Sequence, residues 1–154
     1  MQKATFAAGC FWGVEKQFSA INGVVATQVG YTGGHTIDPT YEQVCHGDTG
    51  HAESIEITFN PEIITYNDLL NKFWNMHNPT TLNRQGPDIG TQYRSAIFYH
   101  TDEQLQQALE SKDEFTQSGK FSAPIMTEIT AATHFYPAEE YHQKYLAKNN
   151  ADYC

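Results

Sequence analysis

Within Gly9-Cys10-Phe11-Trp12-Gly13 a cysteine lies between two glycines and beside two large aromatics, where a short apolar run passes into a helical pattern. Cysteine attacks only as the thiolate, and a free thiol with a pKa of about 8.5 is mostly protonated at neutral pH. In the first turn of a helix it would face unpaired backbone N–H groups and the positive end of the macrodipole, and both favour the anion. Upstream, Ala4 to Ala8 reads as a small strand; downstream, Val14, Phe18 and Ile21 share one face at helical spacing. A nucleophile beside an aromatic pair points to attack on something small, apolar and polarisable. The alternative is that Cys10 is a core residue, since cysteine is among the most buried residue types.

A second chemical signal lies at Glu53. From His51 to Phe59 the chain alternates, and Glu53 shares a face with Ile55, Ile57 and Phe59. A carboxylate on an apolar strand face must be paired or neutralised. Desolvation there raises its pKa, so it can keep a proton near neutral pH. Taken alone it reads more readily as an exposed strand carboxylate. Tyr41 and Tyr93 are two of nine tyrosines, and Asp88 follows a Gly-Pro pair that ordinarily makes a turn, so none of the three carries a signal individually.

The elements that must hold these residues follow from local pattern. Gly23 to Tyr31 is rich in β-branched residues and closed by Thr32-Gly33-Gly34, and reads as a strand. Residues 32–50 form a long polar connection without regular structure, which in a compact domain is often functional. His51 to Phe59 is a strand ended by Asn60-Pro61. Thr65 to Asp68 caps a helix over Leu69 to His77. A second polar loop runs from Asn78 to Tyr93. Ser95 to Tyr99 is a strand, Thr101 caps a helix to about Gln117, Met126 to Thr130 is a short strand, and Ala138 to Lys148 a last helix. The first six elements run β-α-β-β-α-β. The expected fold is therefore α+β, a two-layer sandwich with a split (ferredoxin-like) core, long functional loops and an irregular C-terminal tail.

At 154 residues the chain reads as a single domain, 1–154, with ample core material at 40% hydrophobic and 13% aromatic residues. A net charge of −9 argues against nucleic acid and anionic membranes as partners. No apolar stretch approaches the roughly 20 residues needed to span a bilayer, and no signal peptide is visible. Three cysteines are too few for a disulfide scaffold, so cytoplasmic residence with functional thiols is expected.

Three stretches in order, Gly9 to Gly13, Gly47-Asp48-Thr49-Gly50-His51-Ala52-Glu53 and Gly90-Thr91-Gln92-Tyr93-Arg94-Ser95, resemble the peptide methionine-S-sulfoxide reductases of the A class. The resemblance spans essentially the whole chain. It implies that Cys10 attacks the sulfoxide sulfur and that Glu53 holds or delivers the proton that lets the oxygen leave. Tyr41 and Tyr93 would donate hydrogen bonds to that oxygen, Phe11 and Trp12 would form the methyl pocket, and Asp88 would orient the substrate backbone. The chemistry agrees: a sulfoxide oxygen becomes strongly basic as the thiolate adds, so the site needs a proton source and neutral donors where charge develops. Fixed directions for oxygen, methyl and substrate chain select one epimer, and one enzyme serves each epimer. The resemblance implies no metal or cofactor, a monomer, and free or protein-bound methionine-S-sulfoxide as substrate.

Reduction would leave Cys10 as a sulfenic acid, which condenses with a second thiol. Cys45, in the first long loop, and Cys154, the last residue, are both candidates. The resemblance places the recycling thiol at Cys154, leaves Cys45 out of the cycle, and names thioredoxin as reductant. Many relatives continue past this cysteine into a Gly-rich tail, whereas this sequence stops there.

Rival chemistries are a thiol hydrolase, a cysteine phosphatase, a zinc site and a methionine-sulfoxide-binding module in which Cys10 is inert. The hydrolase needs a histidine beside Cys10, and His51 has the opposite strand parity to Glu53. The phosphatase needs an arginine near Cys10, where the nearest cation in sequence is Lys16. Zinc held by Cys45, His46 and His51 lacks a clear fourth ligand.

Overall fold

The computed structural model describes residues 1–149. β1 (Gln2–Ala8) runs into α1 (Phe11–Ser19), then β2 (Val24–Thr32), a five-residue α2 (Tyr41–Cys45) and β3 (Ala52–Phe59). After α3 (Tyr66–Met76) come the two-residue strands β4 (Arg84–Gln85) and β5 (Asp88–Ile89), a 3₁₀ turn (Thr91–Tyr93), β6 (Ser95–Tyr99) and α4 (Asp102–Gln117). The described chain closes with β7 (Glu128–Ala131), β8 (Tyr136–Pro137), a 3₁₀ turn (Glu140–His142) and α5 (Tyr145–Lys148). The fold is α+β, as expected.

The main sheet has six strands in the order β7-β6-β1-β3-β2-β8. β1 pairs antiparallel with both β3 and β6, β2 pairs antiparallel with β3, and β7 joins β6 in parallel. Phe6 faces Ile55 and Ile97 across its two neighbours, and Val29 also faces Ile55. These side chains share the sheet face against which α1 packs Phe11, Val14 and Phe18, and α3 packs Leu69, Leu70 and Phe73. Complete burial of that many large side chains is the main stabilising term. Trp74 of α3 donates its indole N–H to Ser111 Oγ of α4 at 2.6 Å, and stacks on Phe115.

Capping explains where the helices begin. Thr65 accepts the Asp68 N–H while Asp68 accepts the Thr65 N–H, a complete capping box, and Thr101 accepts the Gln104 N–H. The same device builds α2 inside the stretch expected to be irregular, because Thr40 and Gln43 form another such box. The second polar loop likewise contains the β4–β5 hairpin and a 3₁₀ turn.

The helix expected over Ala138 to Lys148 does not form as one piece. Gln143 instead turns its side-chain amide onto β2, accepting from the Val29 N–H and donating to the Val29 carbonyl, both at 2.9 Å. Lys144 is left-handed at φ 57°, so helix resumes only at Tyr145. The segment works as a strap that continues from β8 along the outer edge of β2.

Antiparallel pairing brings the end of β1, the end of β2, and the starts of β3 and β6 to one end of the sheet. Cys10, Tyr31, Glu53 and the Tyr93 that precedes β6 therefore converge.

Candidate active site

Cys10 is half-buried at the N-cap of α1, its carbonyl accepting the Val14 N–H at 3.4 Å. The turn into this position depends on Gly9, whose φ is 95°. A Cβ there would come within 2.8 Å of Gln85 Cγ, so glycine meets both a backbone and a packing demand. Gln85 is fixed in turn by paired hydrogen bonds to the Asn78 N–H and carbonyl. The β4–β5 hairpin is thereby locked against the cysteine turn, and Asp88 lies across that hairpin from Gln85.

The first N–H of α1, that of Phe11, donates to Glu53 Oε1 at 3.3 Å. Glu53 is 1% exposed, and its Oε2 is buried with no partner. Desolvation pushes its carboxyl up to about 8; the Phe11 N–H opposes this and the charge of Asp88 adds to it. At neutral pH the group is therefore held as the acid, a buried proton beside the residue that follows Cys10. This is the arrangement expected from strand parity.

Tyr41 opens α2, with its N–H held by Glu139 Oε2 at 3.0 Å, and its hydroxyl pKa is raised by burial and then by the neighbouring Cys45 thiol. Burial, followed by the charges of Glu53, Cys45 and Asp88, pushes the Tyr93 hydroxyl up to about 12. Burial first and Glu53 among its neighbours raise Tyr41 further. Both tyrosines remain neutral donors at any working pH. Each is within electrostatic reach of Glu53 and of Cys45, and Tyr41 also senses Tyr93, so the four belong to one site. The Cys45 thiol is raised by partial burial and then by Glu53 and Glu139, against the lowering effect of the Tyr41 hydroxyl.

The aromatic wall is larger than Phe11 and Trp12. Phe11 packs against Tyr31, Tyr41 and His142, and the Trp12 indole lies flat on Tyr145 with centroids 3.8 Å apart and planes 11° apart. Trp12 Nε1 donates to His142 Nδ1 at 2.9 Å. That donor assigns the His142 proton to Nε2, which is buried and unpartnered. Burial lowers the imidazole pKa, with Glu139 opposing. Glu139 also accepts the Tyr31 hydroxyl at 2.9 Å. Burial pushes the Glu139 carboxyl up, but the Tyr41 N–H and the Tyr31 hydroxyl bring it below its ordinary value.

His142, Glu139 and Tyr145 were not identified from the sequence. They come from the strap about 130 residues downstream of Trp12, and no local spacing signals that contact. Every expected site residue except one gathers at this end of the sheet; Cys154 lies outside the described residues. His51 does not join them. Its Nδ1 accepts the Gly34 N–H at 3.0 Å and its Nε2 donates to the Thr36 carbonyl at 2.7 Å, so both ring nitrogens hold the first long loop. It has neither the position of a hydrolase base nor a nitrogen left for zinc. Among the described residues no cluster of three or more His, Cys, Asp or Glu side chains could hold a metal ion, and no helix is long and apolar enough to cross a membrane.

Fold and site together define a thiol-dependent reductase class, with a cysteine at a helix N-terminus, a buried acid and an aromatic wall. The family described as peptide methionine sulfoxide reductase matches residues 2–154, and the chain belongs to it. The peptide methionine sulfoxide reductase MsrA of Methanothermobacter thermautotrophicus is 60% identical over 153 residues, 99% of this chain and 90% of that protein. Mxr1 from Saccharomyces cerevisiae in its reduced form superposes with a TM-score of 0.93 at 41% identity, covering 99% of this chain and 88% of its own. The same yeast protein in complex with Trx2 gives 0.66 at 28% identity, over 94% and 84% of the two chains.

Proposed function

We propose that this protein reduces the S epimer of methionine sulfoxide, free or in proteins, to methionine, with Cys10 as nucleophile and a thioredoxin as final reductant. The buried, unpartnered Oε2 of Glu53 carries the reading. An acid with a pKa near 8 and one free oxygen, held by the first N–H of the cysteine's helix, is suited to protonating a leaving oxygen.

In this reading the substrate methyl group lies against Phe11 and Trp12, where burial and sulfur–aromatic contacts of about 0.3–1.5 kcal/mol each favour it. Tyr41 and Tyr93 donate to the sulfoxide oxygen, and Asp88 orients the substrate main chain. The Cys10 thiolate attacks sulfur while Glu53 gives its proton to the developing oxyanion. Oxygen passes to Cys10, which is oxidised to the sulfenic acid as methionine leaves. The Cys154 thiol then displaces water to form a disulfide, and a dithiol reductant opens it. Thioredoxin is supported as that reductant by the solved complex of the related yeast protein with Trx2.

We further read residues 1–154 as a single domain, acting as a monomer in the cytoplasm. Its core is read as the split β-α-β-β-α-β arrangement, which the antiparallel order β6-β1-β3-β2 supports. The test is one turnover with methionine-S-sulfoxide and no added reductant. About one methionine per enzyme is expected, none from the R epimer, and none from Cys10→Ser. Equal yields from both epimers would sink the assignment.

A further inference from the structure

The geometry points to Glu15 as a positioning residue that fixes the face of Trp12 through a clamp on Lys144. Glu15 lies one turn along α1 from Phe11 and Trp12. It is a charged side chain only 1% exposed, and every acceptor bond recorded for it serves the strap or its anchor strand. Oε1 accepts the Lys144 N–H, and Oε2 accepts the Thr27 hydroxyl at 2.8 Å and faces Lys144 Nζ at 3.4 Å. Lys144 Nζ closes the triangle by donating to Thr27 Oγ1 at 2.8 Å.

Lys144 is in the left-handed region at φ 57°, where a residue with a Cβ stays only if its surroundings over-determine it. The surroundings here are the Glu15 carboxylate. The strained turn breaks the strap after the 3₁₀ turn and restarts it as α5, and the first residue after the turn is Tyr145. That step lays Tyr145 flat on Trp12 at 3.8 Å, while His142, two residues before Lys144, takes the Trp12 indole N–H at 2.9 Å. The indole is therefore gripped on one face and one edge by residues on either side of the clamped position. Glu15 and Trp12 leave the same helix three residues apart, so the clamp and the ring it positions share one rigid base. A carboxylate of this kind needs its partners once buried, and here the partners set the orientation of the aromatic wall.

The inference rests on the reading of Trp12 as part of the methyl pocket. Glu15→Ala removes the clamp. Lys144→Pro removes the N–H and forbids a positive φ without opening a buried cavity, so it tests the clamp even if the alanine variant folds poorly. Glu15→Gln keeps an acceptor for the Lys144 N–H. Trp74 is 1% exposed, so acrylamide quenching of indole emission reads mainly Trp12. Expected are stronger quenching and a KM for methionine-S-sulfoxide raised about tenfold, with kcat changed much less, in Glu15→Ala and Lys144→Pro, and recovery of both in Glu15→Gln. A change in melting temperature alone, with quenching and KM at wild-type values in both variants, overturns the proposal. Increased quenching with an unchanged KM leaves the clamp standing and removes Trp12 from the pocket.

Discussion

The backbone N–H of Phe11 donates to Glu53 Oε1 at 3.3 Å, and this one bond fixes a buried acid at the start of the helix that Cys10 caps. It uses one carboxyl oxygen and leaves the other without a partner. A helix-terminal N–H favours a carboxylate, yet burial outweighs it, so the group titrates near 8. As general acid Glu53 must be protonated, and the single-turnover rate should fall as pH rises through about 8. Glu53→Gln keeps the shape and the Phe11 hydrogen bond but has no transferable proton. Its rate should drop by roughly 10²–10⁴-fold and lose that alkaline limb. A retained limb in the glutamine variant would assign the titration to another group.

The same burial has a thermodynamic consequence. The unfolded chain releases the Glu53 proton near 4.5 and the folded chain near 8. Between those values the folded state binds more protons than the unfolded state, so stability falls as pH rises, by up to about 1.4 kcal/mol per unit. The stabilising contribution is fully present below 4.5 and lost once pH passes 8. Glu53→Gln, which cannot ionise, should melt at a higher temperature than wild type at pH 9, with the gap closing toward pH 5. A gap independent of pH would contradict a buried neutral carboxyl.

Tyr41 and Tyr93 arrive at the site on different elements, one opening α2 and the other ending a 3₁₀ turn. As paired donors they should substitute for one another in part. Tyr41→Phe or Tyr93→Phe alone should slow reduction modestly. The double variant should lose about 10²–10³-fold, the loss usual when an oxyanion is left without its donor. Strictly additive single effects would mean the hydroxyls act on different atoms.

How much of this was legible beforehand depends on the range of the interactions. Glu53 was readable because strand parity alone puts it beside Ile55, and Thr65 and Thr101 announced their helices by local capping chemistry. The short α2 was announced in the same way, by Thr40 and Gln43, but lay inside a stretch whose polar composition read as irregular. The strap was not legible. Its conformation is set by Glu15, Thr27 and Val29, more than 110 residues away, and local helical propensity loses to those tertiary bonds. For that reason the aromatic pair at Phe11 and Trp12 was visible, while His142 and Tyr145, which complete the wall, were not.

Recycling separates cleanly from reduction. If Cys154 only resolves the sulfenic acid, Cys154→Ser should still release about one methionine per enzyme in a single turnover. Multiple turnover with thioredoxin should then fall sharply. Cys45 is exposed, and partial burial and neighbouring carboxylates raise its thiol pKa against the lowering effect of the Tyr41 hydroxyl. A raised pKa leaves less thiolate for attack on a sulfenic acid, so Cys45→Ser should leave thioredoxin-driven turnover near the wild-type rate. Peptide mapping after one turnover should recover a Cys10–Cys154 disulfide. Recovery of Cys10 joined to Cys45 would transfer the recycling role to the α2 cysteine, and the Cys45→Ser variant would then stall after one turnover.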